Sequence, residues 1–282
     1  MRNRIGGFVG ALLSLAAGAV RGGESGPTIS AARRDDRGVL VHAVESPYQA
    51  GTTEIRVLCP QKSDSTERLP VIYVLPVEAS NEARYGDGLR EVERLGLHDS
   101  LRAIFVGPTF SQLPWYADHP TDLQVRQESH FLKVVMPFIE AHYPAQRGRE
   151  GRLLLGFSKS GWGAWSLLLR HPETFDKAAA WDAPLMMDAP GRYGSGPIFG
   201  TPGNFEGYKI AALLERRAAD LQGRNRLILL GYDNFRDHHV RTHDLLKRLK
   251  IPHLYRDGPK RPHTWEGGWV REAAEALRRD SE

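Results

Sequence analysis

Apolar residues along this chain recur with two periods that take turns. Leu40 to Val44 and Thr53 to Cys59 have strand character, the second by the alternation of Ile55, Val57 and Cys59. Val71-Ile72-Tyr73-Val74-Leu75 is apolar without interruption, as a strand buried on both faces requires. From there the pattern switches regularly. A helical stretch from Tyr85 to Leu95 leads to a strand over Ala103 to Val106. Glu128 to His142 leads to Arg152 to Leu155, and Lys159 to Arg170 leads to Lys177 to Trp181. After a Gly/Pro-rich stretch, Tyr208 to Leu221 leads to Leu227 to Leu230, Asp237 to Leu249 to His253 to Arg256, and Trp265 to Arg278 closes the series. Such alternation predicts an α/β protein, a mainly parallel central sheet with helices on both faces.

With 282 residues, 41% of them hydrophobic, the chain can bury one large core and is short for two. Its 38 basic and 34 acidic residues leave a net charge of +4, too dispersed for a nucleic-acid groove. Arg2 and Arg4 precede an apolar run from Ile5 to Val20, and Ala17-Gly18-Ala19 supplies small residues of the kind found at a signal-peptidase site. That run spans about 24 Å as a helix, short of the ~30 Å hydrocarbon core of a bilayer. Residues 1–19 are therefore expected to be a signal peptide, 20–37 a linker, and 38–282 one domain of an exported protein. Cys59, the single cysteine, has no partner for a disulfide and is expected to be a buried strand residue.

The chemistry gathers where a strand meets a helix, at Leu153-Leu154-Leu155-Gly156-Phe157-Ser158-Lys159-Ser160-Gly161-Trp162. A serine between small residues at such a junction can sit in a tight, strained turn with its hydroxyl above the sheet. Ser160 stands where the usual pattern has glycine. A serine hydroxyl needs a base, and the base an orienting acid, expected in the order serine, acid, histidine, the last two in loops after later strands. Asp233 follows the strand ending at Leu230, and His263 follows the strand ending at Arg256. Asp182, ending the Lys177 to Trp181 strand, is the alternative acid, and Asp237 a lesser one that suits a helix cap. His239 and His243 are spaced to face one metal ion from a helix. Without a glutamate-bearing motif, a solvated helix face is the expectation for them and for His238.

The runs Val71 to Leu75, Gly156 to Ala164, Gly231-Tyr232-Asp233 and Pro262-His263-Thr264-Trp265 resemble the esterase D group of α/β-hydrolases, over roughly residues 38 to 280. The resemblance implies an α/β-hydrolase fold and a serine esterase without metal or organic cofactor, with Ser158 as nucleophile, His263 as base and Asp233 as orienting acid. Trp115-Tyr116 is similar to the family's aromatic segment near the pocket, which makes Trp115 and Tyr116, together with Trp162, candidate substrate-binding residues. Packing of its helix on the sheet is the simpler role for Trp162. Where members of the group continue from the Val71 to Leu75 strand with a His-Gly or Gly-rich turn, this chain has Pro76-Val77-Glu78-Ala79. Proline carries no N–H. The expected oxyanion donors are therefore the backbone N–H groups of Lys159 and Glu78, with Val77 as the alternative. The Lys159 ammonium would suit an anionic substrate, or simply be a solvated charge at the start of a helix. The stretch Ala183 to Gly207 is expected to lie over the site, with Met186, Met187, Tyr193, Phe199 and Phe205 giving it an apolar side. The expected substrate is a small-molecule or carbohydrate-linked carboxylic ester. The rival readings are an acyltransferase using the same three residues and a non-catalytic carbohydrate-binding or interaction protein.

Overall fold

In the computed structural model, residues 26–61, 66–79 and 84–279 are described; the expected signal peptide lies outside them. The strands are β1 (Thr28–Ile29), β2 (Arg33–Arg34), β3 (Leu40–Glu45), β4 (Thr52–Leu58), β5 (Val71–Val74), β6 (Ile104–Pro108), β7 (Arg152–Phe157), β8 (Lys177–Trp181), β9 (Leu227–Tyr232) and β10 (His253–Lys260). They form one sheet in the order β1-β3-β4-β6-β5-β7-β8-β9-β10, with β2 also on β3. β3, β4 and β6 pair antiparallel; from β6 through β10 every pairing is parallel. The segment expected as a linker, 20–37, thus contributes two short strands to the antiparallel edge: Arg33 lies opposite Val41 and Thr28 opposite Glu45. The backbone of β3 needs partners on its outer side, and these strands supply them.

Side chains along each inner strand alternate between two apolar layers, as the period of two demands. Val71, Tyr73, Leu154, Ala178, Ala180 and Leu229 face a layer completed by Trp162, Trp165 and Leu168 of the helix Ser158–Arg170. Ile72, Val74, Leu155, Ala179, Trp181 and Leu230 face the other, where Leu89, Val92, Val270 and Ala274 arrive from the helices Gly88–Arg94 and Val270–Arg278. Alanine at 180 lets the Ser158–Arg170 helix come close: a Cβ on Gly161 would lie 3.2 Å from Ala180 Cβ and 2.9 Å from Ala183 Cβ. Cys59 is half-buried beside the first layer, and desolvation pushes its thiol up to about 11, so it is held as an unreactive thiol. Among the described residues, no helix is long and apolar enough to cross a membrane.

Successive strands add on one side of β5 and then on the other, which leaves a crevice at the carboxyl ends of β5, β7 and β8. Open α/β sheets place their ligands at such a reversal of strand order.

Candidate active site

Ser158 opens its helix directly after β7 and has φ of +51°, a left-handed conformation that costs a non-glycine residue about 1–3 kcal/mol. The sequence around it holds the turn. Ser160 Oγ accepts the Phe157 N–H at 3.1 Å and donates to the Phe157 carbonyl at 2.9 Å, so serine in place of glycine laces the elbow shut. Gly156 cannot be larger, because a Cβ there would lie 2.3 Å from the Ser160 carbonyl oxygen.

The Ser158 hydroxyl meets His263 Nε2 at 3.0 Å. His263 sits in the loop between β10 and the turn Trp265–Gly267, edge-on to Phe157 at 5.1 Å and to Tyr85 at 5.3 Å between ring centres. Its Nδ1 lies 2.5 Å from Oδ2 of Asp182. Oδ1 of the same carboxylate accepts the N–H groups of Asn234 at 2.8 Å and Phe235 at 2.7 Å. Burial raises the Asp182 carboxyl, but the bonds from His263 and from the 233–235 backbone outweigh it, and the group lies below its ordinary value.

The carboxylate that the structure brings to His263 is therefore that of Asp182, not of Asp233. Asp233 follows the last residue of β9, Tyr232, whose neighbour across the sheet is Lys260, and its carboxylate lies 3.2 Å from the Lys260 ammonium. Asp182 has φ of +40°, which turns its side chain across the end of the sheet toward His263. Asp237 is exposed and lies 3.8 Å from Arg241.

A cleft of about 730 Å³ opens over Ser158, lined by Glu78, Tyr85, Lys159, Tyr193, Phe235 and His263 among others. The three aromatic residues expected to contact substrate do not line it. Trp115, Tyr116 and Trp162 are fully buried in the core beneath the site. The Trp115 and Trp162 rings meet edge to face at 5.5 Å, the N–H groups of Trp115 and Tyr116 share Gln127 Oε1, and the Tyr116 hydroxyl donates to the Pro76 carbonyl at 2.7 Å. Large aromatic area is worth most out of water, and these rings underpin the elbow and its facing loop. Trp265 and Trp269 are likewise core. In the 183–207 stretch, Tyr193 reaches the cleft and is 45% exposed, whereas Phe199 and Phe205 are fully buried and Met187 nearly so.

Glu78 and Lys159, the expected oxyanion donors, both line the cleft, while Val77 is buried. Among the described residues, no acceptor takes the backbone N–H of either Glu78 or Lys159. Their side chains face each other at 3.4 Å. The Lys159 ammonium is consequently not a solvated charge. Burial lowers its affinity for a proton and the Glu78 carboxylate partly restores it. Tyr85, Asn234 and Phe235 carried no motif in the sequence; the short connection from the end of β9 to the helix Arg236–Arg248 is the one signal that could have pointed to the last two.

Among the described residues, no group of three or more His, Cys, Asp or Glu side chains is arranged to hold a metal ion. His239 is buried and His238 half-buried, so the solvated-face expectation fails for both. His243 instead bonds His253 at 2.8 Å through Nδ1.

Sheet order, crevice and strained serine elbow together define an α/β-hydrolase. A family model described as "Putative esterase" matches residues 46–190, just over half of the chain. The chain belongs to this esterase family and is a carboxylic ester hydrolase. The matched segment contains Ser158 and Asp182 and ends before Asp233 and His263. Among solved structures, the chain is similar to a ferulic acid esterase at 20% identity and TM-score 0.67, covering 85% of this chain and 96% of that one. It is similar to an S-formylglutathione hydrolase of Staphylococcus aureus at 16% identity and TM-score 0.68, covering 86% and 98%. A fluorophosphonate-binding serine hydrolase of Staphylococcus aureus matches at 15% identity and TM-score 0.69, over 89% and 100%. At such identities the likeness is one of fold. Among curated proteins no relative matches.

Proposed function

We propose that the protein is an exported serine esterase that works through an acyl-enzyme, with Ser158 as nucleophile, His263 as general base and acid, and Asp182 as the orienting carboxylate. The observation that carries this reading is the continuous line Ser158 Oγ–His263 Nε2 at 3.0 Å and His263 Nδ1–Asp182 Oδ2 at 2.5 Å, on the floor of an open cleft.

As the Ser158 oxygen bonds to the ester carbonyl carbon, His263 Nε2 takes the hydroxyl proton and Asp182 stabilises the imidazolium. The carbonyl oxygen gains the negative charge and is met by the N–H groups of Lys159 and Glu78. One such donor is worth about 2.7–4 kcal/mol in the transition state. When the tetrahedral centre collapses, the leaving alkoxide carries off the proton from His263. Water then repeats the attack with His263 again as base, releases the acid and returns the proton to Ser158. The test is labelling by a fluorophosphonate probe together with turnover of p-nitrophenyl acetate. Ser158→Ala is expected to abolish labelling and to lower kcat by about 10⁴- to 10⁶-fold. Equal turnover by the variant would sink the mechanism. Export is tested separately, by N-terminal sequencing of the protein recovered outside the cytoplasm.

A further inference from the structure

The array and the oxyanion donors leave unexplained the pair His238-His239 at the start of the helix Arg236–Arg248. Both rings point back at the turn that follows Asp182. Nε2 of His239 accepts the N–H of Ala183, the residue directly after Asp182, at 2.9 Å. Nδ1 of His238 accepts the N–H of Met186 at 3.0 Å. The accepting nitrogens carry no proton, and burial favours that state, pushing His239 down to about 4 and His238 below its ordinary value.

Asp182 needs such support. Its left-handed φ of +40° is strained, and a conformation of that kind persists only where its surroundings over-determine it. Beyond β8 the Ala183 and Met186 N–H groups have no strand to pair with, and a buried donor left unmet costs about 1–3 kcal/mol. The chain from Gly231 to His239 meets all of these demands. The Gly231 carbonyl accepts the Asp182 N–H at 3.2 Å, the Asn234 and Phe235 N–H groups hold its carboxylate, and the two histidine rings hold the turn that follows.

We infer that His239, assisted by His238, is a positioning residue for the esterase reaction: by fixing the Ala183–Met186 turn it aims the Asp182 carboxylate at His263. The inference rests on the proposed role of Asp182, since a turn that aims no acid would matter only to stability. Three variants of the full chain separate the possibilities. His239→Leu fits the volume but offers no acceptor. His239→Gln returns one, and His238→Ala removes the second strap. We expect His239→Leu to lower kcat by roughly 10- to 100-fold, the scale of an ångström-level misplacement, with KM little changed. His239→Gln is expected to restore most of that loss, and His238→Ala to fall between. A purely structural role would lower the melting temperature of His239→Leu and leave the acid limb of the kcat/KM profile in place. Positioning predicts that the limb moves to lower pH in His239→Leu, because a displaced Asp182 stabilises the imidazolium less.

Proton NMR provides a readout independent of turnover, the downfield resonance of the His263 Nδ1 proton bonded to Asp182. Its loss in a folded His239→Leu and return in His239→Gln would support the inference even if the wild type proved inactive on esters, an outcome that would count against the esterase mechanism alone. A folded His239→Leu protein with wild-type kcat, acid limb and resonance would overturn it.

Discussion

The two nitrogens of His263 live in contrasting surroundings. Nε2 faces the open cleft, where Ser158 is its partner. Nδ1 faces a sealed wall: Asp182 is 2% exposed, and its carboxylate accepts three bonds, one from the ring and two from backbone N–H groups. The contrast follows from what each end must do. Under the proposed mechanism a proton moves at Nε2 and an acyl group arrives and leaves, so the partner has to be reachable. At Nδ1 nothing is exchanged with solvent, and fixed orientation is the whole requirement.

Among changes that keep Ser158 and His263, breaking the sealed end should have the largest effect. Asp182→Asn is expected to lower kcat by about 10⁴-fold, as the wrong tautomer of His263 is then favoured. Asp233→Asn should leave kcat nearly unchanged, since it weakens only a contact to an exposed lysine. Steady-state kinetics of the two variants side by side settle which carboxylate serves the ring; the opposite ranking would return the role to Asp233. At the open end, Ser160→Ala strips the Phe157 N–H of its buried acceptor and should cost about 1–3 kcal/mol of stability by urea titration, with a fall in kcat as the elbow relaxes.

The sealed end also has a pH signature. Because the native Asp182 carboxyl lies below its unfolded value, the unfolded chain binds its proton first as pH drops. The stabilisation is therefore complete above the unfolded value of about 3.9 and disappears as pH falls through the native one. Urea titrations of wild type and Asp182→Asn should show a stability gap that narrows across this acid window. A gap independent of pH there would mean that the native carboxyl is unshifted. A small but measurable loss is expected from Tyr116→Phe, which frees the Pro76 carbonyl in the loop that leads to Glu78. A loss of about 0.5–1.5 kcal/mol in stability and a small drop in kcat at constant KM are anticipated.

The order of strands and helices was readable because inner strands and amphipathic helices write different periods into a chain this rich in apolar residues. The meeting of Ser158 with His263 was readable because a Gly/Ser elbow and a loop histidine each stand at a strand's carboxyl end. The acid was not. Asp182 and Asp233 both end strands of the same sheet, and what separates them is one backbone angle and the direction of the pleat, neither of which leaves a mark on residue type. Trp115, Tyr116 and Trp162 misled for a related reason. Aromatic residues near a site in sequence serve equally as pocket walls and as foundations, and only burial tells these apart. The short strands at 28–34 were missed because two-residue pairings leave too little pattern to read.

The helix behind Ser158 has one consequence for anyone seeking a hardier enzyme. Replacing a helical glycine with alanine is a routine stabilising change, worth about 0.5–1 kcal/mol. At Gly163 the added methyl would lie 2.0 Å from Tyr116 Cδ2, so the ring whose hydroxyl braces Pro76 would have to leave its place. Heat tolerance engineered there would be drawn directly from the geometry of the loop facing Ser158, and a screen scoring only melting temperature would not register the damage.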